Sequence, residues 1–501
     1  MKPPGARSSP PAPRPQSTHS PQSAHPPRPA RLLRFPVIPE LLRERVFRRY
    51  WTAQAVSLMG DQVSLIAIPL AAVLVLNADA ADMGLLKTAE LLPALLFSLP
   101  AGAWADRRAR RRRVMIVSDL LRALLVASLP AAYALNVLTF AQLYAVAFTV
   151  GALTVLFDVC NATVFVSLVT TDRLVAGSTL LNGSRAMAFV GGPGAGGLLI
   201  QLLSAPLALL ADALTFLCSG LLLARIAPAE PPPAPPAKGY ATEGLRWVLR
   251  HPAMRAMFAA SGTVQFFNFM FQTLFVLYAT TELGLGAALL GAVLGAGAIG
   301  GLIGAGLAGR VIRGLGVGPA ILAGFAGFTI PLLLVPLAAG PSWLVIALLF
   351  LAEFLSAVGV MFVDISSNSL SAALMPDALR SRITGASRTL NYGFRPLGAL
   401  AGGALGTTLG LRPTLWTATA GAILCLLWLL PSPVPRIRTL PNRPTTPLPA
   451  VIPPTPAPPH TPARPSPPAT PTTGLAPAAT SEAATCREAP PEPDRIPDGL
   501  R

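Results

Sequence analysis

Hydrophobic residues run through this chain in long blocks, not at the periods of a water-soluble fold. Residues 95–105 and 320–337, for example, present almost no polar position on any side. A helix of a soluble domain keeps one polar face, whereas a helix that is apolar all round belongs in lipid. Twelve such segments can be marked, near residues 50–76, 82–103, 114–135, 139–168, 183–203, 207–226, 254–279, 285–309, 318–338, 343–372, 384–408 and 412–430. Each meets the roughly 20 residues that a helix needs to cross the hydrocarbon core. The fourth and tenth exceed it, so their ends are expected to project or tilt. The pattern predicts an all-α membrane protein with twelve transmembrane helices.

The flanks have a different texture. Residues 1–45 and 431–501 are rich in Pro, with Ser and Arg in the first and Thr and Ala in the second, and neither carries a periodic apolar signal. Both are expected to be disordered cytoplasmic tails, because such sequences bury too little surface to fold. With no apolar core or cleavage site in the first tail, the first membrane segment is expected to act as an uncleaved insertion signal. Residues 228–250 form the longest internal connection, opening on a Pro-rich run and closing on the amphipathic stretch 242–251. They separate an amino-terminal bundle, 46–227, from a carboxy-terminal bundle, 251–430, each of six helices. The amphipathic stretch is expected to lie on the membrane surface.

Scarce polar residues recur between the two bundles. Ser184-Arg185 stands ahead of Pro193 as Ser387-Arg388 stands ahead of Pro396, an offset of 203 that also carries Gln62 onto Gln265 and Arg107 onto Arg310. Asp158 and Asp364 differ by 206. Such repetition predicts two pseudo-symmetric halves.

Composition agrees with a lipid solvent: 52% of residues are hydrophobic and only 12% charged, against about a quarter charged in soluble domains. The formal net charge of +17 does not point to nucleic acid, because the basic residues sit in tails and at segment ends, not among aromatics. They follow topology. The connections 106–113, 172–173, 225–255, 310–318 and 377–388 are basic, whereas those on the other side contribute only Arg412 clearly. Lys and Arg accumulate in cytoplasmic loops, so both termini are expected to be cytoplasmic. The four cysteines are isolated and the four histidines fall in tails or a loop, which argues against a disulfide framework, a metal site or a bound cofactor. Intramembrane protonation therefore falls to carboxylates.

Ionisable side chains within the bilayer are costly and each invites a role. Asp61 lies twelve residues past Arg49, about 18 Å along a helix and close to mid-bilayer. It is suited either to carrying a proton or to holding a neighbouring helix by a hydrogen bond. Glu90, one turn from Lys87, is either an interfacial ion pair or a second coupling site, and Glu353 is the candidate in the second half. Asp119 and Arg122 are expected to form an ion pair. Asp158 and Asp364, with Asn161 and Asn368 behind them, are expected to be structural, with Arg185 and Arg388 as partners. Gln62, Gln265, Asn268 and Gln272 are candidates to line a cavity, and Phe266, Phe267, Phe269 and Phe271 to give it apolar contacts. The run Gly191–Gly197, with Gly192, Pro193, Gly196 and Gly197, predicts a kinked helix packed closely on its neighbours, which with Arg185 is expected either to act as a gating helix or to serve packing alone; Arg388 and Pro396 occupy the matching places in the second half.

The loop Gly102-Ala-Trp-Ala-Asp106-Arg107-Arg108-Ala109-Arg110-Arg111 resembles the G-x-x-x-D-R-x-G-R-R loop between the second and third helices of major facilitator superfamily transporters. Ala109 replaces the usual second glycine. The resemblance implies that Asp106 latches the outward-open state by contacting the other half near the eleventh helix, with Gly102, Arg107, Arg110 and Arg111 as the other matched positions. Gly192-Pro193 through Gly197 resembles the G-P-x-x-G-G element of antiporters in that superfamily. Trp51-Thr-Ala-Gln54-Ala-Val-Ser57-Leu-Met-Gly60-Asp61-Gln62, Ser118-Asp119-Leu-Leu-Arg122 and Ala211-Asp212-Ala-Leu-Thr215-Phe216 look like the branch containing the enterobactin exporter and macrolide-efflux-type permeases. The arginine that many proton-coupled drug antiporters carry in the fourth helix is missing. The resemblance implies a monomeric plasma-membrane transporter that exports a hydrophobic or amphipathic small molecule, such as a drug, siderophore or secondary metabolite, against inward proton flow. An uncoupled facilitator or importer is the alternative; a receptor or scaffold built on the Pro-rich tails is another. No nucleophile–base cluster points to an enzyme.

Overall fold

The computed structural model describes residues 39–107, 110–227, 241–376 and 379–440. Twelve helical crossings account for most of them. The first half comprises α1 (Arg45–Leu76), α2 (Ala80–Asp106), α3 (Arg111–Ala134), α4 (Phe140–Leu168), α5 (Leu174–Leu203) and α6 (Ala205–Ala224). The second comprises α7 (Pro252–Thr281), α8 (Ala287–Leu315), α9 (Val317–Leu337, with a 3-10 turn at Pro331–Leu333), α10 (Ser342–Leu374), α11 (Arg380–Leu409) and α12 (Leu411–Ile423, resumed by Cys425–Leu429). By length and apolar composition alone, α1, α3 to α6 and α8 to α10 suffice to cross a membrane.

Short polar signals set the helix ends. Asp79 and Asp82 open α2 with a reciprocal capping box, in which the Asp82 N–H donates to Asp79 Oδ1 at 2.9 Å and the Asp79 N–H to Asp82 Oδ2 at 3.2 Å, satisfying two otherwise orphaned donors. Thr139 caps α4 in the same sense, accepting from the Gln142 N–H at 3.3 Å. Gly316 and Gly410 end α8 and α11 with φ of +94° and +90°, a conformation that favours residues without a Cβ.

Helix boundaries fix the internal repeat. Leu174 and Arg380 open α5 and α11 206 residues apart, and Leu203 and Leu409 close them at the same spacing; Arg45 to Pro252 and Ala80 to Ala287 are each 207. The offset is therefore 206 to 207, not 203. Asp158 and Asp364 are in register, whereas Arg185 and Arg388, Pro193 and Pro396, and Gln62 and Gln265 are displaced by about one helical turn. A three-residue slip keeps a residue near the same helix face, which is how the shorter offset looked plausible in sequence.

The two halves meet through α5 against α8 and α2 against α11. Both seams close on glycine pairs. A Cβ added at Gly84 would lie 2.8 Å from the Gly403 Cα, and one added at Gly197 would lie 3.0 Å from the Gly291 Cα. Repeat register relates the two pairs: Gly197 maps to Gly403 and Gly84 to Gly291. All four glycines lie toward the ends of their helices remote from the chain termini.

Core packing divides along the same axis. At the remote face a single apolar core runs through both halves, from Ile66, Leu70, Leu129 and Leu209 to Leu274, Tyr278, Leu290 and Leu415. At the terminal face the core is split. Phe47, Tyr50, Met115, Phe157 and Leu223 pack in the first half, and Met257, Val317, Phe325, Leu370 and Leu429 in the second. Among the described residues, the apolar core is shared by the two halves at one face and divided between them at the other.

Three expectations change at the edges. The first tail was expected to reach residue 45, but Glu40–Arg43 is a helix whose Leu41 is buried beside Phe47 and Val169. The second was expected to begin at 431, but the chain folds back on α9: the Gly318 N–H donates to the Ile437 carbonyl at 2.8 Å and the Val317 N–H to that of Arg438 at 3.2 Å. The connecting helix Ala241–Arg250 does not lie alone on a lipid surface, because Val248 is buried against Met254 and Ile383.

Candidate functional site

Polar side chains gather at mid-span inside the first half. Gly60 makes this possible: a Cβ there would collide with Asp212 Oδ1 and Thr215 Oγ1, so only a glycine lets α1 approach α6 at that level. One turn on, Ser64 Oγ donates a short hydrogen bond to Asp212 Oδ2. Thr215 Oγ1 donates to the Asp212 carbonyl at 2.8 Å and lies 3.2 Å from Oδ1. Asp212 is fully buried, and its oxygens are committed to two helices.

Behind it, Asp119 and Arg122 form an ion pair one turn apart on α3, with side-chain exposures of 0% and 3%. Ser219 Oγ donates to Asp119 Oδ2 at 2.7 Å. The Arg122 guanidinium is held between the rings of Phe157 and Phe216, 4.5 Å from each centroid, and Nη1 donates to Thr154 Oγ1 at 3.4 Å. The expected pair therefore exists, but deep in the bundle. A buried ion pair is favoured only when hydrogen bonds satisfy its remaining groups, and Ser219, Thr154 and the two rings supply most of that here.

Asp61 occupies the open side of this cluster. Its charged neighbours are Asp212, Arg122, Asp158 and Asp119, yet the side chain is exposed. At 100° per residue it shares the α1 stripe of Tyr50 and Gln54, and that stripe meets α4: Tyr50 donates to Asn161 Oδ1 at 2.7 Å, and Asn161 Nδ2 to Gln54 Oε1 at 3.4 Å. Asp61 thus opens onto the space between α1 and α4. Three carboxylates, of Asp61, Asp119 and Asp212, stand near the Arg122 guanidinium, and Asp158 lies near Asp61.

The next residue turns the other way. Gln62 is 7% exposed and lies under α5, where a Cβ on Gly192 would meet its side chain and one on Gly196 would lie 3.2 Å from the Val63 Cα. Gly192 and Gly196 therefore seat α5 on α1, and Gly197 seats it on α8. Asn268 is also buried. Gln265 and Gln272 share one stripe of α7, so the four amides do not line one surface. Among the phenylalanines, Phe267 packs on Gly421, Phe266 lies beneath Gly398 and Phe271 is buried; only Phe269 joins a polar group.

That group is Arg395, at the middle of α11. With the Gln265 amide oriented so that its oxygen faces the guanidinium, Oε1 accepts from Arg395 Nη2 at 2.8 Å and Nε at 3.1 Å. The rings of Tyr392 and Phe269 lie 4.8 and 5.1 Å from the guanidinium carbon. The sequence signal for Arg395 and Asp212 was available, since each is an ionisable residue inside a stretch expected to cross the membrane.

Remaining candidates are dispersed. Glu90 is exposed and pairs with Lys87 at 2.9 Å. Glu353 lies against α8, where a Cβ on Gly297 would be 3.4 Å from its Oε2. Asp364 and Arg185 are exposed. Pro396 lends its carbonyl to Thr88 Oγ1 at 3.4 Å across the α2–α11 seam. In the basic loop Arg111 is buried and its Nε donates to the Ala105 carbonyl at 3.2 Å, while Arg107 and Arg110 are exposed. Among the described residues nothing lies within 4 Å of a Cβ built at Gly102. The side chains of Asp106 and Arg388 lie outside the described residues.

Comparison with known proteins gives one answer at three levels. Residues 50–395 match the family model described as Major Facilitator Superfamily. The chain is 29% identical over 408 residues to the multidrug efflux pump Tap of Mycolicibacterium fortuitum, covering 76% of this chain and 93% of that protein. It is 30% identical over 391 residues to the Tap pump of Mycobacterium tuberculosis H37Rv, covering 73% and 88%. Among solved structures, the nucleoside transporter NupG (D323A mutant) superposes with a TM-score of 0.67 at 11% identity, covering 77% of this chain and 99% of that one. A bacterial homologue of the iron transporter ferroportin superposes at 0.64 in its inward-facing state, with 17% identity and 78% and 99% coverage. Its outward-facing state gives 0.52, with 18% identity and 77% and 99% coverage.

Proposed function

This chain belongs to the Major Facilitator Superfamily, and we propose that it is a proton-coupled efflux pump for a hydrophobic or amphipathic small molecule, working by alternating access with both termini cytoplasmic. Export is carried over from the two relatives named as multidrug efflux pumps. The observation that carries coupling is the placement of Asp61: an intramembrane carboxylate, open to the space between α1 and α4, in front of buried Asp119, Arg122 and Asp212.

The packing supports an inward-facing state, with the core continuous at the remote face and split at the terminal face. The higher TM-score against the inward-facing ferroportin homologue points the same way. From this state a substrate enters from the cytoplasm.

A proton on Asp61 removes a negative charge from beside Arg122, Asp212, Asp158 and Asp119. That change is transmitted along α1. Ser64 ties α1 to Asp212 on α6, and Gln62 and Val63 seat α5 through Gly192 and Gly196. Helix α5 in turn carries Gly197, half of one clasp at the remote face. Protonation thus acts one packed helix away from the seam that must open for release. Glu353, beside Gly297 on α8, is the second-half candidate for the same task, and Asp106 the latch of the alternate state.

The test is efflux from vesicles under an imposed pH gradient. Asp61→Asn should insert and fold normally and lose gradient-driven efflux while retaining substrate exchange at equal pH. Undiminished gradient-driven efflux in that variant would sink the assignment.

A further inference from the structure

We propose that Arg395 is the anion-recognition point of the substrate site, so that the exported molecules include amphipathic compounds bearing a carboxylate or comparable oxyanion beside an aromatic body. The inference rests on the efflux reading above and adds the substrate class.

Its position comes from the two contact stripes of α11. Phe394, Gly398 and Gly402 meet α7 at Gly262, Phe266 and Met270, whereas Pro396, Ala399 and Gly403 meet α2 at Thr88 and Gly84. At 100° per residue Arg395 projects between these stripes, into the wedge between the halves. On α7, Gln265 and Phe269 lie away from Thr263 and Phe267, which face α12 through Trp428 and Gly421. The guanidinium is half-buried and on the inner side of the second half.

Its bonding is incomplete in a specific way. A guanidinium has five N–H donors. Gln265 Oε1 takes Nε and one hydrogen of Nη2, and among the described residues no carboxylate forms an ion pair with it. The outer fork, formed by Nη1 and the second Nη2 hydrogen, matches two carboxylate oxygens. Gln265 fixes the plane of the fork from the opposite edge. Tyr392 and Phe269 offer faces on which a flat aromatic body can stack beside the charge. A lone cation at mid-span is costly unless it has a recurring partner, and a ligand oxyanion is the partner this box fits.

The experiment uses the full-length protein purified in detergent and two probes, rhodamine B and its ethyl ester, which share an aromatic body and differ in a free carboxylate. Binding is read by fluorescence anisotropy. Wild type should bind the acid about tenfold more tightly than the ester, as a charge-assisted fork warrants. Arg395→Gln should abolish that preference by weakening the acid alone, and Arg395→Lys should keep part of it. Gln265→Glu, which supplies an internal carboxylate, should exclude the acid while sparing the ester and the melting temperature. Equal affinity of wild type for the two probes, no binding of either, or an equal loss of both in Arg395→Gln overturns the proposal. Vesicle efflux separates the two readings: acid-selective binding without transport defeats export and leaves the site, whereas export without acid selectivity defeats the site and leaves export.

Discussion

Gly84 and Gly403 touch backbone to backbone across the α2–α11 seam, so that a Cβ on Gly84 would stand 2.8 Å from the Gly403 Cα. Gly197 and Gly291 repeat the contact across the α5–α8 seam at 3.0 Å. Overpacking a tight contact costs about 1–3 kcal/mol, and here the strain exists only while the remote face is closed. Gly403→Leu should therefore shift the protein toward the outward-open state by roughly 5- to 150-fold in population. Spin labels on the remote ends of α2 and α11 would report a longer distance in that variant. An unchanged distance distribution would show that the seam does not set the equilibrium.

Arg122 is the buried cation beside Asp61, and it is clamped by Phe157 and Phe216. Removing one partner of a buried pair costs about 3–5 kcal/mol, because a charge is left uncompensated. Arg122→Met should lower the melting temperature markedly, and Asp119→Asn should lower it less, since Ser219 can still bond an amide. Adding Asp119→Leu to Arg122→Met should recover much of the loss. A double variant no more stable than Arg122→Met would mean that Arg122 acts through its ring contacts and not through Asp119.

The all-helical membrane fold and its span count could be read from apolar length, because lipid demands uninterrupted helices of one minimum size. The Asp119–Arg122 pair could be read from its spacing on one helix face. Inter-helix relationships could not. Asp212 and Arg395 were visible as charges inside apolar helices, but their partners, Ser64 and Gln265, lie 148 and 130 positions away. Gln62 follows Asp61 directly in the chain, but the 100° turn between consecutive helical residues sends Gln62 under α5 and Asp61 into the open. Identical residues recur at an offset of 203, whereas the helix ends repeat at 206 to 207, so residue identity alone misses the true register by a turn.

The return of residues 431–440 onto α9 makes a sharp truncation prediction. Ending the chain after Leu440 should leave melting temperature and transport unchanged. Ending it after Leu430 removes the carbonyls of Ile437 and Arg438 that accept from Gly318 and Val317, and it uncovers the α9 start by deleting buried Val434. Two lost hydrogen bonds at about 0.5–1.5 kcal/mol each, with the apolar contact, should lower the melting temperature measurably. Equal stability of the two truncations would return these residues to the tail.

Gly102 supplies the opposite lever to Gly403. In the present state nothing among the described residues stands within 4 Å of its missing Cβ, so Gly102→Val should fit without strain while the terminal face is open. Closing that face brings the basic loop toward the second half, and there the added methyls must be accommodated. Gly102→Val should thus favour the inward-open state, the reverse of Gly403→Leu, and the same spin-label distance at the remote face should shorten or stay closed. Asp106→Asn should act in the same direction by removing the latch of the outward-open state. It should reduce transport while membrane insertion and topology, read by cysteine labelling from each side, remain as in wild type. If Asp106→Asn transports at the wild-type rate, the loop is a topological anchor; if Gly102→Val and Gly403→Leu move the distance the same way, the two faces are not alternately closed.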